Sequence, residues 1–130
     1  MTSEKVRVAV VVAAGSFGMK HLDGLANIAE AEVTVVSGTR EEPTRAVAAQ
    51  YGVPHAVVGL EAVLERDDVD AVILATPTGL HAAQTQAVRA AGKHVQVEIP
   101  LADSLADAEA TLAVADASDR IAMVGDTRRF

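Results

Sequence analysis

Short runs rich in valine and isoleucine alternate with longer, alanine-rich stretches along the whole chain. We predict six strands from these runs, at residues 6–12, 32–36, 55–58, 71–75, 94–97 and 121–124. The runs are apolar almost throughout, as in parallel strands covered by helices on both faces. Strands that alternate with helices predict an α/β fold, with a doubly wound parallel sheet in three layers.

The stretches between the runs carry helix signals. In the predicted helix 41–51, Pro43 falls in the first turn, where its missing N–H is tolerated, and Gly52 follows as a left-handed cap. A second helix is predicted for residues 79–91 from its apolar spacing. From Ser104 onward the apolar positions form one predicted stripe, made of Leu105, Ala108, Leu112 and Ala115.

Composition narrows the class of partner. The chain has 130 residues, 50% of them apolar and only 2% aromatic, and a net charge of −7. One globular domain of this kind lacks the clustered cations and stacking aromatics that nucleic-acid binding requires. We therefore expect no nucleic-acid partner, although a small phosphate group can still bind locally.

Metal, membrane and export signals are weak. There is no cysteine, and the four histidines are dispersed, so we expect no metal site. Lys5 and Arg7 before the apolar run 8–14 imitate a short signal peptide, but a first strand explains that run equally well. No stretch approaches the length of a membrane span, so we expect no membrane partner and a cytoplasmic location.

A glycine-containing turn follows the first predicted strand and precedes a helical stretch. Its residues are Ala14, Gly15, Ser16, Phe17 and Gly18, preceded by Ala13 where a dinucleotide fingerprint has its first glycine. A glycine at position 15 lets the backbone approach a diphosphate, and the helix N-terminus offers free amides. We expect strain at Ala13. An ordinary strand-to-helix loop is the alternative interpretation.

The second predicted strand ends in polar and basic residues. Ser37, Thr39 and Arg40 stand where NAD-binding domains usually place a carboxylate on the ribose hydroxyls. Two hydroxyls and a guanidinium can bind a 2′-phosphate, which favours NADP over NAD. The alternative is that Arg40 is a solvated turn residue.

The ends of the fourth and fifth strands carry a more specific pattern. Residues 75–78 read Ala-Thr-Pro-Thr, and residues 92–100 read Gly-Lys-His-Val-Gln-Val-Glu-Ile-Pro. Together they resemble the Gfo/Idh/MocA oxidoreductase family over essentially the whole chain. The resemblance implies an NAD(P)-binding Rossmann domain with strand order 3-2-1-4-5-6, whose partner domain for the substrate is absent from this chain.

Carried over residue by residue, the resemblance places Ser16 and Phe17 at the pyrophosphate and Ser37 and Arg40 at the 2′-phosphate. It places Thr76, Pro77 and His81 beside the nicotinamide ribose, and it lets Glu98 reach the nicotinamide end. Ala14, Gly15, Gly18, Thr39 and Ala75 are further candidate cofactor-binding residues. On the residues alone, His81 could equally pack or cap at a helix start. Glu98 should face the cleft, because an unpaired buried carboxylate is costly.

Three longer strings, at residues 21–25, 93–107 and 123–130, are most similar to one branch of the family. That branch uses NADP to oxidise the cyclic hemiacetal of a muconate semialdehyde to a pyrone dicarboxylate in protocatechuate degradation. The wider family usually has lysine where this chain has Ile99, which argues for this branch and against a sugar dehydrogenase. Asp126 departs from the histidine expected there.

These resemblances imply hydride transfer to or from a small acidic substrate. Asp126, Arg128 and Arg129 are candidate substrate residues, although the two arginines could instead contact the cofactor or only end the last strand. We assign no catalytic residue. The rival hypothesis is a non-catalytic dinucleotide-binding module or a truncated remnant. An isolated domain would also expose an apolar patch, so we expect homo-oligomers at high concentration.

Overall fold

The structure is a computed structural model that describes residues 5–12, 14–98, 102, 104–116 and 120–125. The described strands, in chain order, are β1 Val6–Val11, β2 Ala31–Gly38, β3 His55–Val58, β4 Ala71–Leu74, β5 His94–Glu98 and β6 Ala122–Gly125. The described helices are α1 Ser16–Leu25, α2 Glu41–Tyr51, α3 Leu60–Leu64, α4 His81–Ala90 and α5 Leu105–Asp116, with a 3-10 turn at Thr78–Leu80.

All strand pairs are parallel, and the order across the sheet is β3-β2-β1-β4-β5-β6. This confirms the predicted fold class and strand order. The predicted helix 41–51 has the predicted bounds, and Gly52 caps it with a φ of 68°. The helix α3 was not predicted, because five residues between two short strands give too few turns for a helical period.

Alternating side chains divide the sheet core into two layers. Valines and leucines of β1, β4 and β5 pack on one face against Val63 of α3 and Val88 of α4. On the other face, residues that include Val10 and Val36 pack against Leu22 of α1 and Val47 of α2. Because α1 and α2 cover mainly the β1–β3 half, apolar side chains such as Met123 of β6 stay exposed.

The predicted apolar stripe of α5 does not face the protein interior, so the prediction that it packs on the core is wrong. Leu105 and Leu112 are exposed, whereas Thr111 is buried at 3% exposure. The reason is that Thr111 can satisfy its hydroxyl inside the packing against α4. Its Oγ1 donates to the Asp107 carbonyl at 2.8 Å and accepts from Gln86 Nε2 at 3.1 Å. A helix at the side of the sheet therefore buries a small polar residue in place of its leucines.

The amino-terminal edge of the sheet is closed by charged groups. The Arg7 guanidinium donates to both oxygens of Asp70, at 3.0 and 2.9 Å, and lowers the pKa of that carboxyl to about 2. The buried Lys93 ammonium donates to the carbonyls of Arg66 and Val69, at 2.8 and 3.0 Å. These contacts pair the polar groups at this edge within the protein.

The opposite, carboxyl-terminal edge is set by the strand register. Ser37 of β2, Leu74 of β4 and, through β4, Val97 of β5 lie in one row with Val11 of β1. The residues that follow these four in the chain therefore lie side by side at the carboxyl-terminal edge of the sheet. This brings the segments that were predicted as ligand-binding to a single side of the sheet, as in other doubly wound folds.

Candidate functional site

The turn after β1 contains the left-handed residue of the site. Val12 has a φ of 60°, and it is the single non-glycine residue with a positive φ within the described ranges. A β-branched residue in that region is strained by about 1–2 kcal/mol. The Gly15 amide donates to the Val12 carbonyl at 3.1 Å and closes the turn. The strain predicted for Ala13 is thus seen one residue earlier, and Ala13 itself lies outside the described residues.

Gly15 is followed directly by α1. It is the N-cap of the helix, and no side chain among the described residues caps the first amides, which include those of Ser16, Phe17 and Gly18. A Cβ atom on Gly15 would lie 3.3 Å from the Val12 carbonyl oxygen. The turn therefore combines close backbone packing with free N–H groups and the positive end of a helix dipole, which together suit a phosphate.

Two side chains flank this turn on α1. The Phe17 ring is 43% exposed, although it is a large aromatic residue. The Lys20 ammonium lies 5.3 Å from the ring centroid, within the range of a cation–π contact. Sequence reasoning did not select Lys20, because its partner is one helical turn away and the pair has no motif.

The end of β2 presents three of the predicted 2′-phosphate residues in different environments. Thr39 and Arg40 are exposed. Ser37 is completely buried, and its hydroxyl donates to the Gly59 carbonyl at 2.8 Å. The Ser37 hydroxyl could donate to a phosphate only if its hydrogen bond to the Gly59 carbonyl were broken. The adjacent Glu41 carboxylate is paired with Arg45 at 2.6 Å.

The end of β4 leads into the loop that holds Thr76. The Ala75 amide donates to the Val11 carbonyl at 3.2 Å and fixes the loop to β1. The Thr76 side chain is buried, and its hydroxyl has no hydrogen-bond partner in the part of the chain that the structure describes. Pro77, the next residue, is exposed. An unpartnered buried hydroxyl at this edge is an available hydrogen-bonding group for a ligand.

His81 lies beneath this loop. The imidazole is 2% exposed, and its Nε2 atom forms a hydrogen bond of 2.7 Å with the Thr76 carbonyl. This contact agrees with the packing interpretation of His81. It leaves little imidazole surface for a ribose and makes the Thr76 loop the part that a ligand can reach.

The end of β5 presents Glu98, paired with a residue that the sequence did not reveal. Glu98 Oε1 lies 2.5 Å from His21 Nε2 of α1, and both side chains are nearly buried. In the sequence, His21 is one of four dispersed histidines and the first residue of the string 21–25. The available signal was weak: His21 follows Phe17 by one turn, and Glu98 continues the strand positions that face α1.

Several predicted residues cannot be placed, because Ile99, Asp126, Arg128 and Arg129 lie outside the described residues. The described residues contain no cluster of three or more side chains that could hold a metal ion. In the same residues, no helix has the length and apolarity needed to cross a bilayer.

The arrangement fits a nicotinamide dinucleotide. The free amides after Gly15 could bind a diphosphate, the exposed end of β2 could bind the adenosine ribose, and the unpartnered Thr76 hydroxyl could bind the second ribose. Glu98 lies at the far side of the same edge. This order follows the sheet from β2 to β5, as an extended dinucleotide would.

Comparisons with known proteins show the family of this chain. Residues 6–126 match the GFO_IDH_MocA family, described as an oxidoreductase family with an NAD-binding Rossmann fold. The chain is 55% identical over 117 residues to 4-carboxy-2-hydroxymuconate-6-semialdehyde dehydrogenase of Sphingobium sp. strain SYK-6, covering 90% of this chain and 37% of that protein. It is 32% identical over 120 residues to myo-inositol 2-dehydrogenase of Thermotoga maritima, covering 92% and 36%.

Solved structures show the same likeness. A 3-ketoreductase from Actinomadura kijaniata, crystallised with NADP and TDP-benzene, superposes with a TM-score of 0.88 at 32% identity, covering 94% of this chain and 37% of that one. This chain thus spans little more than a third of the length of these relatives. The family match, the strand order and the glycine turn at the edge lead to one assignment: the chain belongs to the Gfo/Idh/MocA oxidoreductase family and is an NAD(P)-binding Rossmann domain of that family.

Proposed function

We propose that this chain is the NADP-binding part of a dehydrogenase that oxidises 4-carboxy-2-hydroxymuconate-6-semialdehyde, in its hemiacetal form, to a pyrone dicarboxylate. The residues that bind this acidic substrate would lie mainly in a further domain of the complete enzyme. The proposal includes self-association of the enzyme. A bound nicotinamide would supply the hydride acceptor, and the protein would supply position and electrostatics.

The end of β2 is the observation that carries the choice of NADP. Arg40 is exposed there beside Thr39, and the carboxylate of the next residue in the chain, Glu41, is paired with Arg45. A 2′-phosphate would meet a bidentate donor without an opposing free carboxylate on the preceding residues. NAD, which lacks that phosphate, would gain nothing from Arg40.

Other described residues would bind the remaining parts of the cofactor. The amides after Gly15 would hold the diphosphate, and the Thr76 hydroxyl would donate to the nicotinamide ribose, with His81 keeping the loop in place. Glu98 would lie at the nicotinamide end. No described side chain is assigned as the base that takes the substrate proton.

The choice of substrate is supported by the relative that is 55% identical to this chain and by Ile99. An isoleucine cannot transfer a proton, so a dehydrogenase that depends on lysine at that position is disfavoured. Asp126 argues against this substrate, because the resemblance predicts histidine at that position. A direct assay with the semialdehyde decides between the two observations.

Titration with NADPH and NADH, followed by nicotinamide fluorescence, tests the cofactor. We expect tighter binding of NADPH, and in Arg40→Gln about a tenfold or greater loss for NADPH with little change for NADH, since a charged hydrogen bond to phosphate would be removed. Arg66→Gln removes the same charge from a residue that pairs with Asp68, away from this edge, and is the control. Equal affinities for both cofactors in the unaltered chain would contradict the proposal.

The rival function is a binding module without catalysis. A complete enzyme carrying this domain, given NADP+ and the semialdehyde, should produce NADPH absorbance together with the pyrone product. Cofactor binding without turnover of this semialdehyde would favour the module or another substrate. The same assay with myo-inositol separates those two outcomes.

A further inference from the structure

A buried hydrogen bond joins the first helix to the fifth strand at the carboxyl-terminal edge. His21 Nε2 and Glu98 Oε1 are 2.5 Å apart, and their side chains are 13% and 11% exposed. The two residues are 77 positions apart in the chain. This is the one described pair of titratable side chains in direct contact at the edge where β4 and β5 end.

The chemistry of the two side chains determines which of them donates the hydrogen bond. With Glu98 as the carboxylate, the proton of the hydrogen bond lies on His21 Nε2, which donates to Oε1. No hydrogen bond from the described part of the chain reaches the second oxygen, Oε2. The imidazole therefore orients the carboxylate through one oxygen and leaves the other oxygen for a ligand.

A purely structural role explains this pair poorly. Nearly buried charged or polar pairs usually add little to stability, because their desolvation offsets their attraction. An apolar pair could connect α1 to β5 at least as well. Strand alternation also directs Glu98 to the face covered by α1, whose first turn holds the free amides after Gly15. The pair thus joins the diphosphate end of the site to its nicotinamide end.

We propose that His21 is a positioning residue that holds the Glu98 carboxylate toward the nicotinamide ring, and that this charge makes the site favour the oxidised cofactor over the reduced one. The inference rests on the proposed function, since it requires a nicotinamide at this edge. The oxidised ring carries a positive charge, and the reduced ring is neutral. The rest of the two molecules is the same, so the ratio of their affinities measures the charge beside the ring.

The expected size follows from the interaction of two unit charges at short range. At an effective dielectric constant typical of a partly solvated protein site, this attraction changes an equilibrium constant by about tenfold or more. Removing the Glu98 charge should therefore weaken NADP+ binding by about tenfold and change NADPH binding by less than about twofold.

The experiment measures the dissociation constants of NADP+ and NADPH by calorimetry for the unaltered chain and three variants. Glu98→Gln should lower the preference for NADP+ about tenfold. His21→Leu should do nearly the same, because a carboxylate without its hydrogen-bond donor is no longer held toward the ring. His21→Gln keeps a donating N–H at a similar reach and should restore most of the preference. His55→Gln, at a more exposed histidine whose partner is Asp68, is the control.

The outcomes separate this inference from the proposed function. Binding of both cofactors with the same ratio in Glu98→Gln as in the unaltered chain would overturn the role of the charge. A preserved ratio in His21→Leu would overturn the positioning role. Failure of the unaltered chain to bind either cofactor would remove the proposed function and the inference together. If His21→Leu does not fold, Glu98→Gln and His21→Gln still decide the result.

Discussion

Gly38, the last residue of β2, lies so close to Thr44 of α2 that a Cβ atom at position 38 would overlap the Thr44 hydroxyl. That hydroxyl donates to the Arg40 carbonyl at 2.6 Å. The close approach therefore fixes the start of α2 against the end of β2. It also fixes the backbone of Arg40, the residue proposed to bind the 2′-phosphate.

Gly38→Ala should lower the free energy of unfolding by about 1–3 kcal/mol, since overpacking forces the backbone or Thr44 to move. Thr44→Ala should lower it by about 1 kcal/mol through the lost hydrogen bond. The double variant should lose less than the sum, because removing the hydroxyl makes room for the new Cβ atom. Urea unfolding of the four proteins measures this coupling, and strictly additive losses would show that the contact does not matter.

Gly15→Ala should weaken NADPH binding by about tenfold and lower the free energy of unfolding by about 1 kcal/mol, because a Cβ atom there would lie 3.3 Å from the Val12 carbonyl oxygen. The glycine has a φ of −75°, which alanine accepts, but the added methyl group would crowd Val12 and shift the backbone of the turn proposed to hold the diphosphate. Fluorescence titration measures the affinity, and thermal unfolding measures the stability.

Gly24→Ala is the matched control for that substitution. It lies in the same helix, and a Cβ atom there would meet nothing within 4 Å. We expect a gain of about 0.5–1 kcal/mol in stability, because alanine favours the helix more than glycine does. Its NADPH affinity should be unchanged. Equal losses of affinity in both variants would argue against the turn at Gly15 as the diphosphate site.

The Arg7–Asp70 pair should make the free energy of unfolding depend on pH in the acidic range. Its hydrogen bonds lower the pKa of Asp70 from 3.8 to about 2, so the stabilisation is present above about pH 4 and is lost as the pH falls toward 2. Both side chains are about two-fifths exposed, so solvent screening limits the effect to about 1 kcal/mol. Asp70→Asn should remove this part of the pH dependence, as measured by urea unfolding between pH 5 and 2. An unchanged slope would contradict the assignment.

The sequence by itself determined the parallel sheet and the edge at which the predicted ligand residues meet. The alternation of valine-rich runs with alanine-rich stretches requires parallel strands with helices on both sides, and the carboxyl ends of such strands meet at one edge. Gly15, Thr76, Arg40 and Glu98 each follow or end a strand, so the pattern alone places them together. Local signals such as Pro43 and Gly52 also defined α2, because helix ends depend on neighbouring residues.

Only the tertiary structure decided which of these side chains are available. Ser37 and His81 look like ligand residues in the sequence, but each is buried against a carbonyl group, of Gly59 and Thr76 respectively. The contact of His21 with Glu98 spans 77 residues and depends on the packing of α1 against β1 and β2, which brings His21 to the end of β5. Periodicity predicts the face on which a side chain lies. It does not specify the partner found there, because that choice belongs to the packing of whole helices and strands.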